Sequence, residues 1–158
     1  MKHILTNKIF EAKKPKVYHT FTGPLSQEQI DWLDSCIDKQ KKGIWRYNTN
    51  TKRVDVDGHI KCQNQKLTDF HGISFGDVTG DFRCGGNKLD STSLIHFPRT
   101  IGGSLQAWTN KLTTLENGPL IIKETCNLNK NKLTTLKGIA SEIKDLHLKS
   151  NNLTDSVN

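Results

Sequence analysis

Five segments of the chain share one arrangement of apolar and polar positions, apolar-x-apolar-x-x-Asn-x-Leu. They are IKCQNQKL (60–67), FRCGGNKL (82–89), LQAWTNKL (105–112), CNLNKNKL (126–133) and LHLKSNNL (146–153). Their closing leucines fall at 67, 89, 112, 133 and 153, so the period is 20 to 23 residues. Self-similarity at such a period is the mark of a stacked repeat. The leading apolar-polar-apolar triplet predicts a short strand with one buried face. One such strand cannot bury that face alone. Stacking the copies in a parallel ladder predicts three continuous apolar rows: Ile60, Phe82, Leu105, Cys126 and Leu146; Cys62, Cys84, Ala107, Leu128 and Leu148; and Leu67, Leu89, Leu112, Leu133 and Leu153. The asparagine row (Asn87, Asn110, Asn131, Asn151) sits where the chain turns off the strand. A short amide there can satisfy both donors and acceptors of a buried turn. Gln65 takes the Asn place in the first copy, which predicts a different turn at that end.

This pattern resembles the leucine-rich repeat family, over residues 56–155. The short period, with LTTL and scattered Pro98, Pro119, Gly118 and Gly138 on the return side, is similar to the short bacterial and phage type. The resemblance implies an α/β solenoid: about five repeats, a parallel β-ladder on the concave face, and extended or single-turn returns. A short helical turn is expected near Ala140–Ile143. It also implies a binding role for the concave face, whose polar positions run His59, Lys61, Gln63; Asp81, Arg83, Gly85; Ser104, Gln106, Trp108; Thr125, Asn127, Asn129; and Asp145, His147, Lys149. Repeat proteins use such surfaces for recognition. Trp and Arg most often anchor interfaces, which singles out Trp108 and Arg83. The expected partner-binding set is Lys61, Arg83, Gln106, Trp108, Asn127, Asn129, His147 and Lys149. Trp108 has a second reading, in which its ring folds over its neighbours. No polar segment of any length follows the last copy, which predicts self-association through an uncapped C-terminal end or a fold-back of the final residues.

The front of the chain reads differently. Three parts are expected: a basic N-terminal segment (1–19), a helix and β-hairpin that cap the solenoid (20–58), and the repeats (59–158). After Gly23-Pro24, Ser26 and Gln29 stand at capping-box spacing. Ile30, Leu33 and Ile37 give an apolar stripe, early Glu28, Asp31 and Asp34 and late Lys39, Lys41 and Lys42 suit the helix dipole, and Gly43 is a natural stop. IWRYN (44–48) and KRVDVDG (52–58) alternate like two strands joined by a polar turn. Asp55-Val56-Asp57-Gly58 lacks the further ligands of a calcium loop and fits a strand entering a turn. A helix, a Trp-bearing strand, VDVDG and the motif at Val78–Leu89 together resemble leucine-rich repeat proteins of large tailed phages, which implies a phage origin but no activity. Ile9-Phe10-Glu11 before Ala12 resembles the cleavage signal of phage prohead proteases, which implies a targeting peptide over residues 1–11 cut between Glu11 and Ala12.

The net charge of +7 is concentrated in the first 53 residues, where eleven Lys and Arg face five Asp and Glu. That basic segment could attract nucleic acid, but no aromatic residues interleave with its lysines to stack bases. No apolar run approaches the ~18 residues of a membrane span, and no secretory signal stands at the N-terminus. Cys36, Cys62, Cys84 and Cys126 form no CxxC pair and read as buried, reduced thiols. The six histidines form no HExxH or nucleophile constellation, so no enzyme, metal or cofactor is expected. His59 and His147 lie four repeats apart, too far at ~4.8 Å per strand to share a metal. The expected function is a non-enzymatic protein-binding module, a phage-encoded accessory acting in the host cytoplasm. Two alternatives are a packaged internal head protein of the virion that counters host defence, and nucleic-acid binding through the basic segment.

Overall fold

The computed structural model describes residues 18–37 and 43–154. It is a β-solenoid of about four turns with parallel strands and few helices. Each turn gives one strand to each of two sheets. Sheet 1 contains β1 (Tyr18–His19), β2 (Ile44–Asn48), β3 (Arg53–Asp57), β5 (Phe75–Val78), β7 (Thr100–Ile101) and β9 (Ile121–Ile122), in that spatial order. Sheet 2 contains β4 (Ile60–Lys61), β6 (Phe82–Arg83), β8 (Leu105–Gln106), β10 (Thr125–Asn127) and β11 (Asp145–His147). All neighbours are parallel except the β2–β3 hairpin.

Sheet 2 is the ladder the repeat predicts, in the predicted register. Ile60 pairs with Phe82, Phe82 with Leu105, Leu105 with Cys126, and Cys126 with Leu146. The return side differs from a bare extended return. It carries its own parallel ladder, because Val54, Val56, Phe75, Val78, Ile101 and Ile122 alternate inward there and are buried. No helical turn forms at 140–143; Glu142 instead pairs in parallel with Ile121, extending sheet 1. The only helical return among the described residues is a 3₁₀ segment at Ser91–His96, started by the Asp90 side chain on the Thr92 N–H.

The core between the sheets is one cluster running from Leu33 to Leu133. Its middle is a stack of Phe70, Phe75, Phe82 and Phe97, with ring centroids 5.1–5.8 Å apart and mostly edge-on. Edge-to-face pairs contribute beyond simple area burial. The four cysteines are free and buried. Burial raises all four thiols, Cys36 to about 11 and Cys126 to about 12.

The asparagines tie one turn to the next. Asn87, Asn110 and Asn131 are buried. The Asn110 amide donates to the Ala107 carbonyl of its own turn (3.2 Å) and to Cys84 of the turn before (3.1 Å), while its Oδ1 accepts the Leu89 N–H (3.0 Å). Asn131 repeats this set on Leu128, Ala107 and Leu112, and Asn151 on Leu148, Leu128 and Leu133. Gln65 has no earlier turn to hold, and its Oε1 accepts the Trp32 indole N–H (3.0 Å) instead. The residue before each amide takes a positive φ: Asn64, Gly86, Thr109, Lys130 and Ser150. At the corner from sheet 1 to sheet 2, Gly58, Gly80 and Gly103 stack backbone on backbone, and a Cβ on Gly80 would meet the Gly58 carbonyl at 2.6 Å.

Ahead of the first turn, helix α1 (Gln27–Cys36) starts with the predicted capping box, Ser26 and Gln29 bonding reciprocally. It ends at Cys36, short of Gly43, because Ile37 turns extended and pairs antiparallel with Ile60 while keeping its side chain buried. Lys39, Lys41 and Lys42, like Glu11 and Ala12, lie outside the described residues. The hairpin forms as read, and Asp55, Val56 and Asp57 belong to its second strand.

Replacing Asn110 with Ala removes three buried bonds and leaves their partners bare. The expected loss is roughly 2–4 kcal/mol, given about 1 kcal/mol per bond and more for an unsatisfied buried group. Urea titration of the variant measures it. The thiols are expected to stay inert to an aromatic disulfide reagent in the native protein and to react only on unfolding, at the rate of global opening.

Candidate binding face

The outward positions of sheet 2 form three columns. The central column follows directly from the pairing: Lys61 beside Arg83, Arg83 beside Gln106, Gln106 beside Asn127, and Asn127 beside His147. Two elementary facts put them there. Alternate residues of a strand share a face, and parallel register stacks equivalent residues ~4.8 Å apart.

Part of this face is a groove of about 400 Å³ lined by Gln63, Asp81, Arg83, Gly85, Ser104, Gln106 and Trp108. The structure therefore gathers Arg83, Gln106 and Trp108 of the expected set into one site. Lys61, Asn127 and His147 sit on the same sheet and Asn129 and Lys149 just past the ends of β10 and β11, all outside the groove lining. Asn127 and Asn129 spend acceptor capacity inside the ladder: Asn127 Oδ1 takes the Asn129 N–H (3.1 Å), and Asn129 Oδ1 takes the Lys149 N–H (2.8 Å). Glu11 and Ala12 lie outside the described residues.

Trp108 is half-buried and leans back over the preceding turn. Its indole occupies the space where Gly85 lacks a side chain, and any Cβ there would overlap the ring; Gly86 also borders it. Gly85 is thus a seat for an aromatic ring. The ring and the backbone below it form one wall of the groove.

Asp81 organises the opposite wall. Its Oδ1 accepts the Ser104 N–H (2.8 Å) and its Oδ2 accepts the Arg83 guanidinium (2.7 Å). Burial alone would raise this carboxyl, but the Ser104 and Arg83 hydrogen bonds, the Arg83 charge and His59 together hold it below its ordinary value. His59 Nδ1 accepts the Asp81 N–H at 2.8 Å and lies 3.6 Å from Asp81 Oδ2. Gln63 contributes a side-chain oxygen that is buried and has no hydrogen-bond partner. Buried polar atoms normally find one. Gln63, Asp81 and Ser104 were legible as face residues, but not as groove residues, since their roles depend on which neighbours they bond.

The outward face of sheet 1 carries grooves of its own, and its carboxylates bond along the ladder. Asp55 Oδ1 takes the Asp77 N–H (2.9 Å), Asp57 Oδ1 the Thr79 hydroxyl (2.9 Å), and Asp77 Oδ1 the Thr100 hydroxyl (2.6 Å). Among the described residues no three His, Cys, Asp or Glu side chains gather as a metal site, and no helix is long and apolar enough to cross a membrane.

The depressed Asp81 carboxyl has a pH signature. An unfolded Asp titrates near ~3.9, so Asp81 adds stability that is fully present above that value and is lost as pH falls through its lower folded value. Asp81→Asn is expected to lose about 1–2 kcal/mol at pH 7 and to show a shallower fall of melting temperature below pH ~4 than the parent. Thermal unfolding across pH 2–7 (about five values) checks both effects. Set against known proteins, the chain matches no family model, no curated protein and no solved structure.

Proposed function

We propose that this chain is a non-enzymatic protein-binding module that works through the outward face of sheet 2, and that its repeat is a leucine-rich repeat of the short type. The helix and the β2–β3 hairpin act as the N-terminal cap of the solenoid. Ile37 against Ile60, and the Trp32 indole on Gln65, support that role. The resemblance to repeat proteins of large tailed phages supports a phage-encoded accessory whose partner is a host factor or a component of the virion.

One observation carries the reading: a polar groove that joins an aromatic wall, a guanidinium and an unpartnered amide oxygen on a rigid ladder. The groove is shallow and open, so it suits a side chain or loop projecting from a larger surface. Arg83 is neutralised by Asp81 but keeps further N–H groups, which favours a hydrogen-bonding partner over a bare anion. Trp108 supplies the apolar contact area that interface anchors need.

Trp108→Ala and Arg83→Ala are each expected to weaken capture of the partner by about tenfold or more, the scale of an interface anchor. The assay is a pull-down from host lysate followed by titration of the captured protein. Unchanged binding by both variants overturns the assignment. Binding that falls steeply with salt and disappears on deleting residues 1–16 assigns recognition to the basic front segment.

A further inference from the structure

Among the described residues no strand lies beyond β11 in sheet 2. Leu146 is 37% exposed, whereas its ladder equivalents Ile60, Phe82 and Leu105 are at most 3% exposed. Leu148, Leu153, Ile143 and Ile139 are only partly buried at the same end. An open edge beside apolar surface is a template for another strand.

The backbone decides which groups are available. The His147 and Lys149 carbonyls point inward, accepting the Leu128 N–H (2.9 Å) and Lys130 N–H (2.8 Å) of the preceding turn. Successive backbone groups of a strand alternate sides, so the N–H and C=O of Leu146 and Leu148 point outward; the Leu148 carbonyl already accepts the Asn151 amide (3.0 Å) and keeps one lone pair, as the equivalent Ala107 carbonyl accepts both Asn110 and Asn131. In an antiparallel pair, residues that exchange both bonds must be those whose N–H and C=O face the partner. Three two-fold registers meet this rule, centred on Leu146, His147 or Leu148.

Charge selects one of them. Asp145, in β11, and Lys149, just past its end, are both exposed and stand two residues either side of His147, and neither has an ion pair among the described residues. A register centred on His147 sets each Asp145 opposite Lys149 of the second copy, twice by symmetry. It also sets Leu146 against Leu148 on the core side, so the two partly covered ends close each other. A register centred on Leu148 would place His147 against Lys149, and one centred on Leu146 would leave Lys149 without an acid. We propose that two copies associate tail to tail through antiparallel β11 strands with His147 on the two-fold axis, joining sheet 2 of both into one ten-stranded sheet. Such a contact is isologous, so it closes at two copies and does not propagate.

Sedimentation velocity of the full chain over a range of concentrations is expected to show a reversible monomer–dimer equilibrium. Asp145→Lys sets lysine against lysine and is expected to weaken the dimer by about tenfold, while adding Lys149→Asp restores it. Register is read by oxidative cross-linking. His147→Cys puts two sulfurs across the axis on a closely spaced pair, and the disulfide forms readily. Asp145→Cys leaves its mate four residues away, roughly 14 Å, and no disulfide forms. The native cysteines, each at most 2% exposed, do not compete. A monomer at every concentration overturns the proposal, as does a dimer indifferent to Asp145→Lys or one that cross-links at 145 as well as at 147.

Discussion

The side-chain amide that ends the rungs of sheet 2, buried at Asn87, Asn110 and Asn131, is the constraint on which the rest of this molecule depends. A chain that coils every 20 to 23 residues must turn sharply inside its own core, where water cannot reach the backbone. Each turn would strand a carbonyl or N–H at a cost of ~1–3 kcal/mol. One asparagine answers for three such groups, one in its own turn and two in the turn before. Because its reach is short, it also sets the spacing and register between turns. The apolar rows then fall into line as a consequence, and sheet 2 presents its polar columns without slippage.

That same constraint explains what was legible. Asn87, Asn110, Asn131 and Asn151 recur at one place in the repeat, and the rows from Ile60 to Leu146 follow from counting back from them. The second ladder was not legible in the same way. Its strands are two to five residues long, and a pair such as Thr100–Ile101 carries too little alternation to distinguish a strand from an extended return. The end of the helix failed for a related reason. Ile37 continues the helical stripe in sequence, yet its pairing with Ile60, 23 residues on, outweighs one more helical turn. Long-range pairing routinely overrides local propensity.

The groove was half legible. Arg83, Gln106 and Trp108 could be placed on one face by alternation alone. The carboxylate that fixes Arg83 could also have been found, since Asp81 lies two residues before it, just ahead of β6 and on the same face by alternation. The lean of Trp108 could not, because it rests on the missing side chain of Gly85 in another turn. A small residue reads as turn chemistry until the object filling its space is known. Specific features of this face therefore arise between turns, while the scaffold arises from repetition within them.

The amide bonds also have a direction. Asn110, Asn131 and Asn151 each reach back toward the N-terminal neighbour and never forward, while Gln65, at the first turn, holds the helix that precedes it. A coil joined this way has a built-in polarity: two of the three backbone groups that each amide satisfies belong to the loop before it, so every loop leans on its successor. The helix stands where the first loop has no predecessor, and Gln65 turns to it instead, so the coil meets its two ends with different chemistry.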